Sequence, residues 1–76
     1  MIGMLWYDGD KKTPMRQKVI EAARFYYKKH GVIANRAEVN LSQYEPIEID
    51  GIEIVPTIGI IPNHVFIGRV DNDTKD

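Results

Sequence analysis

The sequence predicts an α+β domain of two layers, β-α-β-β-β with room for a further strand, in which one helix packs on a mixed, twisted sheet. Three patterns carry that expectation. Apolar residues recur at helical spacing over residues 15–26, short alternating runs stand on either side of them, and Asp50-Gly51 interrupts a stretch of strict apolar/polar alternation.

The elements follow in order. Met4–Tyr7 reads as a strand of large side chains, which Asp8-Gly9-Asp10 ends with turn chemistry. Thr13-Pro14 reads as a helix start, with Thr as the N-cap and Pro at the first helical position, where its missing N–H costs nothing. The helix then runs to His30, and Gly31 supplies a residue able to turn left-handed. Its stripe is Met15, Val19, Ala22, Ala23 and Tyr26, widened by Ile20 and Tyr27, with Gln17, Glu21, Arg24 and Lys28 opposite. Lys28, Lys29 and His30 suit the negative end of the helix dipole.

Arg36–Leu41 alternates with Ala37, Val39 and Leu41 inward, so a right-handed crossover is expected to pair the first two strands in parallel. Asp50-Gly51 predicts a hairpin with a type I′ turn, setting Ile49 opposite Ile52, Glu48 opposite Glu53 and Ile47 opposite Ile54. Ile58–Ile61 is the optional extra strand, Pro62-Asn63 a turn, and His64–Val70 the last strand. Residues 1–70 form one domain and 71–76 a polar, frayed tail.

Composition narrows the classes. The chain has 76 residues, near the lower limit for an unaided apolar core. It holds no cysteine, which excludes a disulfide framework and a Cys-rich zinc site and fits a cytoplasmic location. The start Met1–Trp6 lacks the basic and long apolar regions of a signal peptide, and no apolar run is long enough for a membrane span. The net charge of −1 hides an asymmetry: residues 1–36 carry eight basic and three acidic side chains, residues 37–76 two basic and eight acidic.

No catalytic constellation stands out. Gly9–Thr13 precedes a helix, but a phosphate-loop spacing would need glycine where Trp6 and Lys11 stand. Asp8 and Asp10 make a weak cation site beside two lysines, and the 71–76 tail imitates a calcium loop without its glycine or its end. His30 and His64 are the only histidines and Ser42 the only serine, without motif spacing. No cofactor is implied.

Met4–Asp10 together with Ile54-Val55-Pro56 and Ile61–Gly68 resembles a set of short, uncharacterised bacterial proteins. These open on a Trp-aromatic-Asp strand and close on a Pro-Asn-His…Ile-Gly strand. The resemblance spans nearly the whole chain. It implies a free-standing protein and transfers no catalytic residue.

The leading expectation is a small, non-enzymatic interaction or assembly module, a homodimer or a binder of another protein, presenting Trp6, Phe66 and His64 on a sheet face that one helix cannot cover. The alternative is a nucleic-acid-binding accessory protein using Lys18, Arg24, Lys28 and Lys29 along the helix. A small hydrolase or metal site at His64, Asp8 and Asp10 ranks third.

Overall fold

In the computed structural model, residues 2–71 are described, so the expected tail lies outside them beyond Asp71. Strand β1 (Ile2–Tyr7) leads into helix α1 (Met15–His30), followed by β2 (Arg36–Asn40), a short 3₁₀ turn (Leu41–Gln43), β3 (Glu53–Thr57) and β4 (His64–Arg69). The four strands form one mixed sheet in the order β1-β4-β2-β3. This is the two-layer α+β arrangement that the patterns imply.

The order changes how the crossover works. β4 pairs antiparallel with both β1 and β2, so those two run in the same direction but do not touch. The βα crossover orients them as expected, and the last strand then slots between them. Its ladder sets Leu5 opposite Phe66 and Tyr7 opposite His64 on one side, and Glu38 opposite Phe66 on the other.

Alternation assigns the two faces. Val65 and Ile67 of β4, Ala37 and Val39 of β2, and Val19, Ala22 and Tyr26 of α1 are buried together with Ala34. Met4, Trp6, Met15 and Ala23 pack against this cluster. Tyr27 is exposed and does not extend the stripe.

The helix starts differently from the Thr-Pro expectation. Pro14 is itself the N-cap, with no side-chain capping bond. The Thr13 hydroxyl instead donates to Asp10 Oδ2 at 2.9 Å. The C-terminus follows the glycine rule: Gly31 has φ 71° and its N–H donates to the Tyr27 carbonyl at 2.8 Å.

The expected hairpin is reduced to its turn. Ile49 and Ile52 bridge, and the Ile52 N–H donates to the Ile49 carbonyl at 3.0 Å. The ladder goes no further, and β3 pairs in parallel with β2 along its other edge, Arg36 against Glu53 and Ala37 against Ile54. Of the two central residues only Gly51 has positive φ, at 83°, which is the type II pattern and not type I′. No ladder pairs Glu48 with Glu53, and Glu53 lies 3.5 Å from Arg36. Ile47, Ile49, Ile52 and Ile54 still turn inward as one set, packed on the core. They cover the β2–β3 half of the helix-side face, beside α1.

Ile58–Ile61 is not a strand. Gly59, with φ 102°, turns the chain there. The Pro62-Asn63 turn does form: Asn63 has φ 67° and the His64 N–H donates to the Ile61 carbonyl at 3.2 Å.

Gly51 has open space where a side chain would stand, so substitution there meets only backbone strain. Gly51→Val should cost about 1–3 kcal/mol in urea unfolding. An unchanged midpoint would show that the positive φ is not required.

Candidate functional site

Two surfaces concentrate unusual side chains: the uncovered sheet face with its β1 edge, and a cleft at one end of the sheet.

The uncovered face divides lengthwise. Its β1–β4 half carries Leu5, Tyr7, His64 and Phe66, and its β2–β3 half carries Arg36, Glu38, Glu53 and Val55. Arg36 Nε lies 3.1 Å from Glu38 and its Nη1 3.5 Å from Glu53, so one cation bridges two carboxylates and this half stays polar and acidic. On the apolar half, Leu5 is 53% and Tyr7 63% exposed. The Tyr7 ring leans on His64 with centroids 5.0 Å apart, and its hydroxyl overhangs Gly9. Phe66 is half-buried because it lies over Gly3, where an added Cβ would come within 3.1 Å of the ring.

Trp6 does not share this surface. Paired with Val65, it points to the helix side, half-buried, with its ring 5.1 Å from that of Phe25. Of the three expected interaction residues, Phe66 and His64 occupy the open face and Trp6 the packed one. Trp6 Nε1 is buried without a hydrogen-bond partner among the described residues.

The cleft has a volume of about 490 Å³ and lies where β1 and β2 end, β4 begins and α1 starts. A connected polar wall bounds it. Asp8 N–H donates to the Asn63 carbonyl at 2.9 Å, Asn63 N–H to Gln43 Oε1 at 2.7 Å, and Gln43 Nε2 to Asn63 Oδ1 at 3.0 Å. Asn40 Oδ1 caps the 3₁₀ turn by accepting from the N–H groups of Ser42 and Gln43, while Asn40 Nδ2 donates to the Ile60 carbonyl at 2.7 Å. These amides tie three chain segments together, and no short motif announces them. Four residues on the cleft are charged: Lys11, Lys12, Lys18 and Glu45.

Lys18 is the surprise. It is only 8% exposed, not on the outer face of the helix, and its ammonium has no hydrogen bond or ion pair among the described residues. The remaining helix cations are also divided. Arg24 contacts Glu21 at 3.2 Å, and Lys28 and Lys29 stand exposed in the last turn. The four expected nucleic-acid contacts do not make one stripe.

Asp8 and Asp10 are engaged by the backbone. Asp8 Oδ1 accepts from the Asp10 N–H and Asp10 Oδ1 from the Lys12 N–H, both at 2.9 Å. His64 Nδ1 donates to the Pro62 carbonyl at 2.9 Å, since a carbonyl only accepts. Among the described residues no three His, Asp or Glu side chains gather as a metal site. No helix among them is long and apolar enough to cross a membrane.

Compared with known protein families, curated proteins and solved structures, the chain matches none.

Two outcomes test this geometry. Trp6→Phe keeps a ring against Phe25 and removes an unsatisfied N–H, whose burial costs about 1–3 kcal/mol. Its stability should stay within about 1 kcal/mol of the parent, whereas Trp6→Ala should lose about 2 kcal/mol or more. A Phe variant as weak as the Ala variant would mean that the indole N–H has a partner. The second concerns acid. The Lys12 N–H, then the Thr13 hydroxyl and more weakly Lys18, hold the Asp10 carboxyl below the usual carboxylate range. A lowered folded value contributes stability that is complete above the unfolded value and lost as pH falls through the folded one. Amide exchange at Lys12, corrected for intrinsic rate, should accelerate over that acidic window in the parent but not in Asp10→Asn.

Proposed function

We propose that this chain is a small, non-enzymatic assembly module and that its first partner is a second copy joined along β1. The observation that carries this reading is the character of the β1 edge. An outer strand offers unpaired N–H and C=O groups, and protein edges are usually guarded by charge, proline or brevity. The other edge, β3, carries Glu53 and Pro56. β1 reads Ile-Gly-Met-Leu-Trp-Tyr over six residues, with no charge and no proline.

Self-pairing also satisfies the faces. Two β1 strands joined antiparallel about a two-fold axis normal to the sheet keep both helices on one side. Directly opposed residues must then point the same way, which a register centred on Leu5 achieves. Leu5 meets the partner's Leu5, and Met4 meets the partner's Trp6. The apolar halves of the two open faces become one band at the centre of an eight-stranded sheet, and the charged Arg36–Glu38–Glu53 halves lie outside it. That band, with Tyr7, His64 and Phe66 on each side, is the surface offered to a further protein.

A nucleic-acid role draws less support, because Lys18 is buried and Arg24 is held by Glu21.

Light scattering on the purified protein should give twice the chain mass of 8.7 kDa. Leu5→Lys places a charge at the middle of the edge on an already exposed position, so the fold should persist. The dissociation constant should rise at least tenfold, about 1.4 kcal/mol. Ile58→Lys, at an exposed apolar position in a distant turn, should leave the mass unchanged. A parent mass of one chain at high micromolar concentration would sink the proposal.

A further inference from the structure

The crossover from β1 into α1 brings the amino end of the helix to the carboxyl ends of β1 and β2, the place where open sheets with such crossovers commonly hold ligands. Two independent features of the cleft there call for negative charge.

The first is the helix terminus. An α-helix leaves its first N–H groups without intrahelical partners, and side-chain oxygens or acidic residues usually serve them. Here the cap is Pro14, which has no side-chain acceptor, and the first turn contains no acidic residue. The Thr13 hydroxyl is turned away to Asp10. The Lys18 N–H bonds the Pro14 carbonyl at 3.1 Å, so the amides of Met15, Arg16 and Gln17 precede the first intrahelical bond. The positive end of the dipole is left without a compensating side chain.

The second is Lys18 itself. More than nine-tenths buried, it lines the cleft with no hydrogen bond or ion pair among the described residues. Its charge is felt by Asp10 only as a minor influence. Its stem is packed away, and its ammonium opens on the cleft with no counter-charge of the chain within bonding reach. Lys11 and Lys12 stand exposed at the mouth, against Glu45 as the one acidic residue of the lining.

We propose that the cleft binds the phosphate group of a small phosphorylated molecule. The phosphate sits between the α1 amides and Lys18. A dianion with several acceptor oxygens satisfies both at once, as isolated helix amino ends and lysines do elsewhere. The cleft, at about 490 Å³, is of small-molecule size rather than ion size. Met15, Tyr44 and Val65 offer the organic part an apolar wall. This reading stands independently of the β1 pairing, since Leu5 and Lys18 lie on opposite sides of the sheet.

The test is a ¹⁵N NMR titration of the full chain at fixed ionic strength, first with inorganic phosphate and then with phenyl phosphate. Fixed ionic strength removes general screening of surface lysines. The expected result is saturable movement of the Met15, Arg16 and Gln17 amides, with phenyl phosphate binding more tightly than phosphate. Lys18→Met should weaken binding at least about tenfold. The spectrum reports whether that variant remains folded. If it does not, the exposed pair Lys11→Gln and Lys12→Gln must weaken binding together. Lys28→Gln, at the far end of the helix, must not. The proposal is overturned by an absence of saturable shifts. It is equally overturned by succinate binding as tightly as phosphate, or by a folded Lys18→Met variant that binds like the parent.

Discussion

The insertion of β4 between β1 and β2 is the constraint on which the other features rest. Val65–Gly68 have ladder partners on both sides, so β4 cannot slip by one residue without moving all its side chains to the wrong face. The same strand supplies Val65 and Ile67 to the floor beneath α1 and Phe66 and His64 to the opposite side. It also separates the two strands that the crossover had made parallel. The chain therefore closes only when its last element arrives, and its central contacts are among those most distant in sequence. Such long-range closure must overcome loop entropy before it gains stability. Asn35 then secures the far end of the strand: its side-chain amide exchanges two bonds with the Val70 backbone, at 2.9 and 2.8 Å.

The entry to β4 explains the cleft. Pro62 presets one φ of the turn, and Asn63 tolerates the left-handed position that follows. Once placed there, Asn63 accepts from Asp8 and exchanges two bonds with Gln43, so the ends of β1, β4 and the 3₁₀ turn are held by one residue. Because the wall is built from amides already bonded to each other, it leaves the lysines as the cleft's chemically unsatisfied part. The Tyr7–His64 ring pair stands where this end of the sheet meets its open face.

What could be read from the residues alone divides along sequence distance. The helix, its Gly31 stop, and the turns at Asp50-Gly51 and Pro62-Asn63 are local, and their chemistry states them. Strand partners are not local. The alternation of Ile47, Glu48, Ile49 and Ile52, Glu53, Ile54 states which side chains turn inward, but not what they pair with. Folding one arm over the core and pairing the other in parallel with β2 satisfies the same alternation. Ile58–Ile61 shows the opposite failure: an apolar run looks like a strand, yet Gly59 at φ 102° bends it. The Thr13-Pro14 start is off by one position because Asp10 offers the threonine hydroxyl a nearer acceptor.

Lys18 shows how a signal can be present and still pass unnoticed. It lies three residues after Met15 and four before Ala22, which is the spacing of the buried stripe itself. Its charge argues for the outer face, and helical geometry argues for the inner one. Geometry wins because the helix cannot rotate: Val19, Ala22 and Tyr26 are fully engaged by Val65, Ile67 and Val39. The aliphatic stem of a lysine packs like an apolar side chain, so the conflict reaches only the terminal ammonium. That group must find water or a counter-charge, and the opening beside the start of α1 is where the fold leaves room for either. The stem thus serves the buried stripe while the ammonium opens on the cleft, and both halves of the residue are accounted for by the position of α1.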